Sequence, residues 1–288
     1  MKFKVVKWLN EGSAEPFFAR LFVGLSELRD AALMARFGPA DIERARMAFD
    51  EKLEPVLEAL ISARNAMNEI VAVVEAHRKR VASGEVVQFQ QHAFVVTEGI
   101  DAPLREHTAT FLNRAVVGLI GVQHIMRLLD IPIGPLFGPE KKYAKWLPGL
   151  RRDHPLLGDY LDAVRRGWSE SLTDRRGALE HEGWVLGRVD HTLDHSGTPP
   201  QVRIVEPLVD GIAVTDYVMR MGARVFAFAE NVVAYGCSCS LRPPMTIMEI
   251  EPALRDPSIP RRFVLGIPGI GPAGTNEWTL RYSDPGFP

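Results

Sequence analysis

Side chains able to do chemistry gather in two stretches of this 288-residue chain. The first spans residues 169–184, where Arg175 and Arg176 shortly precede His181. At about 100° per residue, Leu157, Leu161, Val164, Trp168, Leu172 and Leu179 form one apolar helical stripe. Arg175 falls within that stripe, Arg176 at its margin and His181 well away from it. The face between Arg176 and His181 also carries Arg166, Ser169, Thr173 and Glu180. Such a polar strip is either a solvated face or a groove for an anionic backbone. A local reading stands beside it. Glu180 lies four positions after Arg176, the spacing of a helical ion pair worth about a few tenths of a kcal/mol. His181, in the last turn, suits free carbonyls and the negative end of the helix dipole. Arg175 can snorkel outward from beneath the core.

The second stretch is Asp190-His191-Thr192-Leu193-Asp194-His195, whose side chains include hard and borderline metal ligands. On a helix, His191 and His195 would share a face and could chelate a cation for metal-dependent hydrolysis. Here they follow an apparent strand, where residues four apart lie roughly 13 Å from one another. A solvated turn is the better expectation, and no metal or other cofactor is expected.

Other classes fail on simple grounds. With 34 basic and 36 acidic side chains the formal charge is −2, which argues against a general nucleic-acid coat or a polybasic membrane binder. Cys237 and Cys239 are the two cysteines, too few for a disulfide scaffold or a thiolate zinc site. The Gly-rich run at residues 266–274 contains two prolines and leads into a strand-like piece, so it is no phosphate cradle. No Glu-x-x-His or Gly-x-Ser-x-Gly occurs. The start has no secretory pattern, and no long window is both apolar and free of charge. A cytoplasmic protein without membrane contact is expected.

The segment Asp174-Arg175-Arg176-Gly177-Ala178-Leu179-Glu180-His181-Glu182-Gly183-Trp184, late in a helical region, resembles the HEPN superfamily. Ribonucleases of that family carry an Arg, four to six intervening residues, then a His. Arg188 and His195 meet the same spacing, but in a loop context. The family usually places a polar residue directly after its Arg. Gly177 follows Arg176 here, unless Arg175 is the motif arginine and Arg176 takes the polar place. The resemblance implies metal-independent RNA cleavage in a defence or toxin role. Arg176 or Arg175 would hold the scissile phosphate, and His181 would move a proton at the 2′-hydroxyl or leaving oxygen, with Arg166 and Thr173 toward substrate. It also implies a homodimer that closes one cleft, RNA as a partner and an antitoxin-like protein as another. The family includes non-catalytic interaction modules too, in which Arg176 and His181 would be structural.

The elements that position these residues read as mainly α. An antiparallel four- or five-helix bundle is expected over residues 1–183, followed by a C-terminal extension over 184–288 with a β-hairpin, a helix and a loop-rich tail. Helices are predicted over residues 14–36 and 41–82, the latter either kinked or restarted at Pro55. A third carries the stripe Leu104, Thr108, Phe111, Ala115, Gly118, Val122, Ile125, Met126, Leu129, with small residues that let a neighbour approach. A brief helix near residues 141–150 precedes the last bundle helix, capped by Asp153 and stopping at Gly183. Strands are predicted at 184–189 and 202–205, a helix at 215–235, and strand-like pieces at 245–250, 263–265 and 278–282.

Overall fold

The long three-and-four stripes fold as long helices. The computed structural model describes residues 16–91, 93–195, 200–258, 261–270 and 273–282. Helix α1 is Pro16–Arg36, α2 Pro39–Ala82, α3 Asp101–Leu128, α4 Glu140–Asp153, α5 Pro155–Val164, α6 Glu170–His181 and α7 Val214–Ser238. Between them lie strands β1 Val87–Gln90, β2 Ala93–Val96, β3 Asp190–Asp194, β4 Gln201–Val205, β5 Leu208–Val209 and β6 Ile212–Ala213. Strands β7 Thr246–Ile250, β8 Phe263–Gly266 and β9 Thr275–Glu277 follow α7. The protein is mainly helical, with small antiparallel sheets.

The chain divides into two compact units, each drawing on residues both before and after Gly183. One comprises Met1–Ile61, Val117–Glu170 and Val225–Asp284. In it, α3 lies close to α2 because glycine permits it. A Cβ on Gly118 would stand 2.9 Å from Leu60, and one on Gly121 would collide with Val56. Around this contact Leu53, Leu57, Leu119, Val122, Ile125 and Met126 are buried. Phe228 of α7 packs against the rings of Phe137, Tyr160 and Trp168. The Pro- and Gly-rich loop before α4 is fastened by buried Arg165, which donates to the carbonyls of Leu136 at 2.5 Å and Gly138 at 3.0 Å. Strands β8, β7 and β9 form an antiparallel sheet in that order.

The other unit comprises Ser62–Val116, Ser171–Arg224 and the last four residues. It holds the end of α2, the β1–β2 pair, the start of α3, α6, two strand pairs and the start of α7. Val81, Val86 and Val202 form a small apolar cluster, with Phe94, Val96, Leu193 and Ile204 packed against it. Strands β5 and β6 are joined by Asp210 and Gly211, both at positive φ (52° and 79°), as a two-residue hairpin turn requires.

Several boundaries differ from the sequence expectation. The helix at Pro55 neither ends nor restarts, since α2 runs unbroken through it. Asp153 is the last residue of α4 rather than an N-cap; His154 occupies that place and makes no side-chain cap, while Pro155 takes the first turn as expected. The helix predicted up to Gly183 is interrupted by a π turn at Arg165–Ser169, closed by the Glu170 amide on the Arg165 carbonyl. One added residue in a turn rotates everything after it by about 100°, so a face drawn through 157–181 at constant pitch is wrong beyond 169. Residues 184–189 are irregular; the strand begins at Asp190 and pairs with Gln201–Val205. The last strand is 275–277, ahead of the predicted 278–282. The β1–β2 pair had no counterpart in the sequence reading.

Candidate functional site

Helix α6 places Arg175, Arg176 and His181 near its C-terminal end, and the helix stops where glycine allows it to. Gly183 adopts φ +69°, and the Trp184 amide turns back to the Ala178 carbonyl at 3.1 Å. That reversal sets the Trp184 ring under the Arg175 guanidinium, 5.0 Å from its centroid.

The two arginines leave α6 in different surroundings. Arg175 forms an ion pair with Asp210, which also accepts the Ser171 hydroxyl at 2.6 Å. Its Nε is buried with no partner among the described residues. Arg176 pairs with Glu180 at 2.6 Å and points its Nε toward Asn113 Oδ1 of α3, 3.4 Å away. The expected helical pair is therefore formed. His181 has a side chain 74% exposed, with Nε2 3.8 Å from the other oxygen of Glu180.

An open groove of about 610 Å³ runs along α6, lined by Ser171, Thr173, Asp174, Arg175, Gly177, Ala178, His181 and Glu182. Arg175, His181 and Thr173 thus share a concave surface, whereas Arg176 does not line it. Asp174 and Glu182 set two carboxylates beside Arg175, itself already countered by Asp210, so the groove has no surplus of positive charge to draw in a phosphate. Beneath lies Tyr217 of α7, fully buried, its hydroxyl without a partner among the described residues; burial pushes that phenol above its ordinary value.

Two predicted strip residues do not join the groove. Arg166 and Ser169 lie in the π turn and belong to the other unit. There Arg166 pairs with Asp162 at 3.0 Å, and Ser169 is buried.

The His191/His195 stretch is a strand, not a solvated turn. His191 points its Nε2 at Nε2 of His77, 3.0 Å away, while His195 is exposed beyond the end of β3. Among the described residues, no group of three or more His, Cys, Asp or Glu side chains is placed to hold a metal ion. No described helix is long and apolar enough to cross a membrane.

Asn113, His77 and Asp210 escaped the sequence reading. Asn113 is 63 positions from Arg176 and His77 is 114 from His191, with no motif linking either pair. Asp210 did carry a signal: Asp-Gly between Leu208-Val209 and Ile212-Ala213 is a strong short-range hairpin pattern. Comparison with protein-family models, curated proteins and solved structures returned no match.

Proposed function

We propose that this is a HEPN-like helical protein acting as a non-catalytic interaction module, in which Arg176 and His181 are structural. The observation that carries this reading is the Arg176–Glu180 ion pair at 2.6 Å. A catalytic arginine must offer its fork to a phosphate. Arg176 instead spends it on its own helix and on Asn113, outside the groove that His181 lines. The finer architecture belongs to the same proposal: an antiparallel bundle of four or five helices with a hairpin-and-helix extension, pairing as a homodimer. Two unpaired thiols suit a cytoplasmic setting.

A second reading, metal-independent RNA cleavage of the defence or toxin type, is favoured by one observation. Arg175 and the exposed His181 line the same open groove, with Thr173 between them. Arg175 would then take the phosphate after release from Asp210, and His181 would transfer the proton.

One experiment separates the two. The whole protein is incubated with mixed RNAs in EDTA beside Arg175→Ala, Arg176→Ala and His181→Ala variants of matched thermal stability, and its mass in solution is measured by light scattering. The module reading expects a dimer, no cleavage by any form, and unfolding midpoints little changed by Arg176→Ala or His181→Ala. Cleavage that leaves 2′,3′-cyclic phosphate ends and disappears in His181→Ala would overturn it in favour of the ribonuclease.

A further inference from the structure

We propose that His77 and His191 form a proton-operated latch, which holds the β3–β4 pair against the end of α2 at neutral pH and releases it in mildly acidic solution. The contact is between like atoms. Nε2 of His77 stands 3.0 Å from Nε2 of His191, with the rings edge to face at 78°. A hydrogen bond of that kind requires one nitrogen to carry the proton and the other to present its lone pair. The tautomers follow from burial. His77 is 2% exposed, and its Nδ1 is buried without a partner among the described residues. A bare lone pair there costs less than an unsatisfied N–H, so His77 donates from Nε2 and His191 accepts, keeping its own proton on Nδ1.

Protonating both rings removes the acceptor and sets two cations face to face. The bond becomes a repulsion inside a partly closed site. Charged groups around the pair divide in sign. Arg80 of α2 opposes a charge on His77, whereas Glu98 and Asp101 favour it; Asp101 and Asp190 favour a charge on His191. Two of these carboxylates are already engaged: Glu98 with Arg80 at 2.5 Å, and Asp101 with the Val189 amide at 2.8 Å. Burial is the largest influence on both imidazoles and holds each below its ordinary value of 6.5. Each folded pKa therefore lies under its unfolded one, and the unfolded or released state binds protons first. The stabilising contribution is complete above about pH 6.5 and is lost as pH falls below it through the folded values.

What the latch holds is lightly fixed. Beyond its pairing with β3, strand β4 is anchored by a cluster of three buried valines, Val81, Val86 and Val202. Loss of one bond with gain of a repulsion is therefore a large share of what keeps β3–β4 in place.

The test uses the full chain. Amide hydrogen exchange across 190–194 and 201–205 is followed from about pH 7.5 to about pH 5, corrected for intrinsic exchange, with histidine ring carbons titrated by NMR in the same samples. Protection in the parent falls about 10- to 100-fold over this range, with both rings titrating below the ordinary histidine value. In His191→Gln, which accepts one hydrogen bond and never charges, protection stays flat. Protection in the parent that does not change with pH overturns the latch, as does an equal loss in His191→Gln. Should that variant fail to fold, the parent alone decides: titration of either ring at its ordinary value, or protection that does not follow the second protonation, rejects the proposal.

Discussion

Asp210 joins Ser171 and Arg175 through a single carboxylate, accepting the serine hydroxyl at 2.6 Å on one oxygen and the guanidinium on the other. The β5–β6 turn is thereby tied to the first turns of α6, the helix that carries the Arg/His motif. Asp210→Ala is expected to cost about 1–2 kcal/mol, because it also leaves a half-buried Arg175 without its counter-ion. Asp210→Asn keeps a residue that tolerates positive φ and costs about half as much. Urea unfolding at constant m-value measures both, and equal costs would show that the turn conformation, not the charge, matters.

The Arg176–Glu180 pair is partly solvated, with side chains 33% and 30% exposed. Glu180→Gln should cost only about 0.3–0.5 kcal/mol. That cost should shrink further in about 1 M salt, where charges are screened within a few Å. A cost that is large and salt-independent would point to a role for Glu180 beyond its own helix.

Helix α3 tolerates no added methyl where it meets α2. Gly121→Ala should destabilise by about 1–3 kcal/mol, since the new Cβ meets stiff, β-branched Val56 near its backbone. Gly118→Ala should cost less, because its obstacle is the movable end of Leu60 at 2.9 Å. Thermal unfolding of the two variants tests the order; reversed costs would contradict this account of the contact.

The thiols differ in reach. Cys237 is fully buried, and burial pushes it up to about 12, so at neutral pH it is neither exposed nor ionised. Cys239 is exposed, although raised as well, chiefly by burial of its sulfur. A disulfide reagent at about pH 8 should therefore titrate a single slow thiol in native protein and both in urea. Two thiols reacting at one rate without denaturant would refute the buried placement of Cys237.

The helices were legible because their information is local. Apolar residues at three-and-four spacing mark one face, and Leu104, Phe111, Ala115, Val122 and Ile125 are all fully buried as that rule predicts. The close helix approach at Gly118 and the stop at Gly183 were legible for the same reason, since only glycine meets each requirement cheaply. The π turn was not. Arg165-Arg166-Gly167-Trp168-Ser169 has no spacing that distinguishes four residues per turn from five, and its cause is Arg165 reaching two carbonyls about thirty positions earlier. A face drawn across that turn fails, which is why Arg166 and Ser169 were wrongly grouped with Thr173 and Glu180.

The amino-acid sequence alone determined which segments would be helical, where glycine and proline would stop them, and that Arg176 and Glu180 stand one turn apart. These follow from backbone sterics and from repeats spanning a few residues. The tertiary structure alone decided that Asp210 occupies Arg175, that Asn113 faces Arg176, and that His191 meets His77 rather than His195. Those pairings join residues 35 to 114 positions apart, and nothing local encodes them. They exist because burying the apolar faces brings distant side chains to one place, where each polar group must find a partner or bear the cost of lacking one.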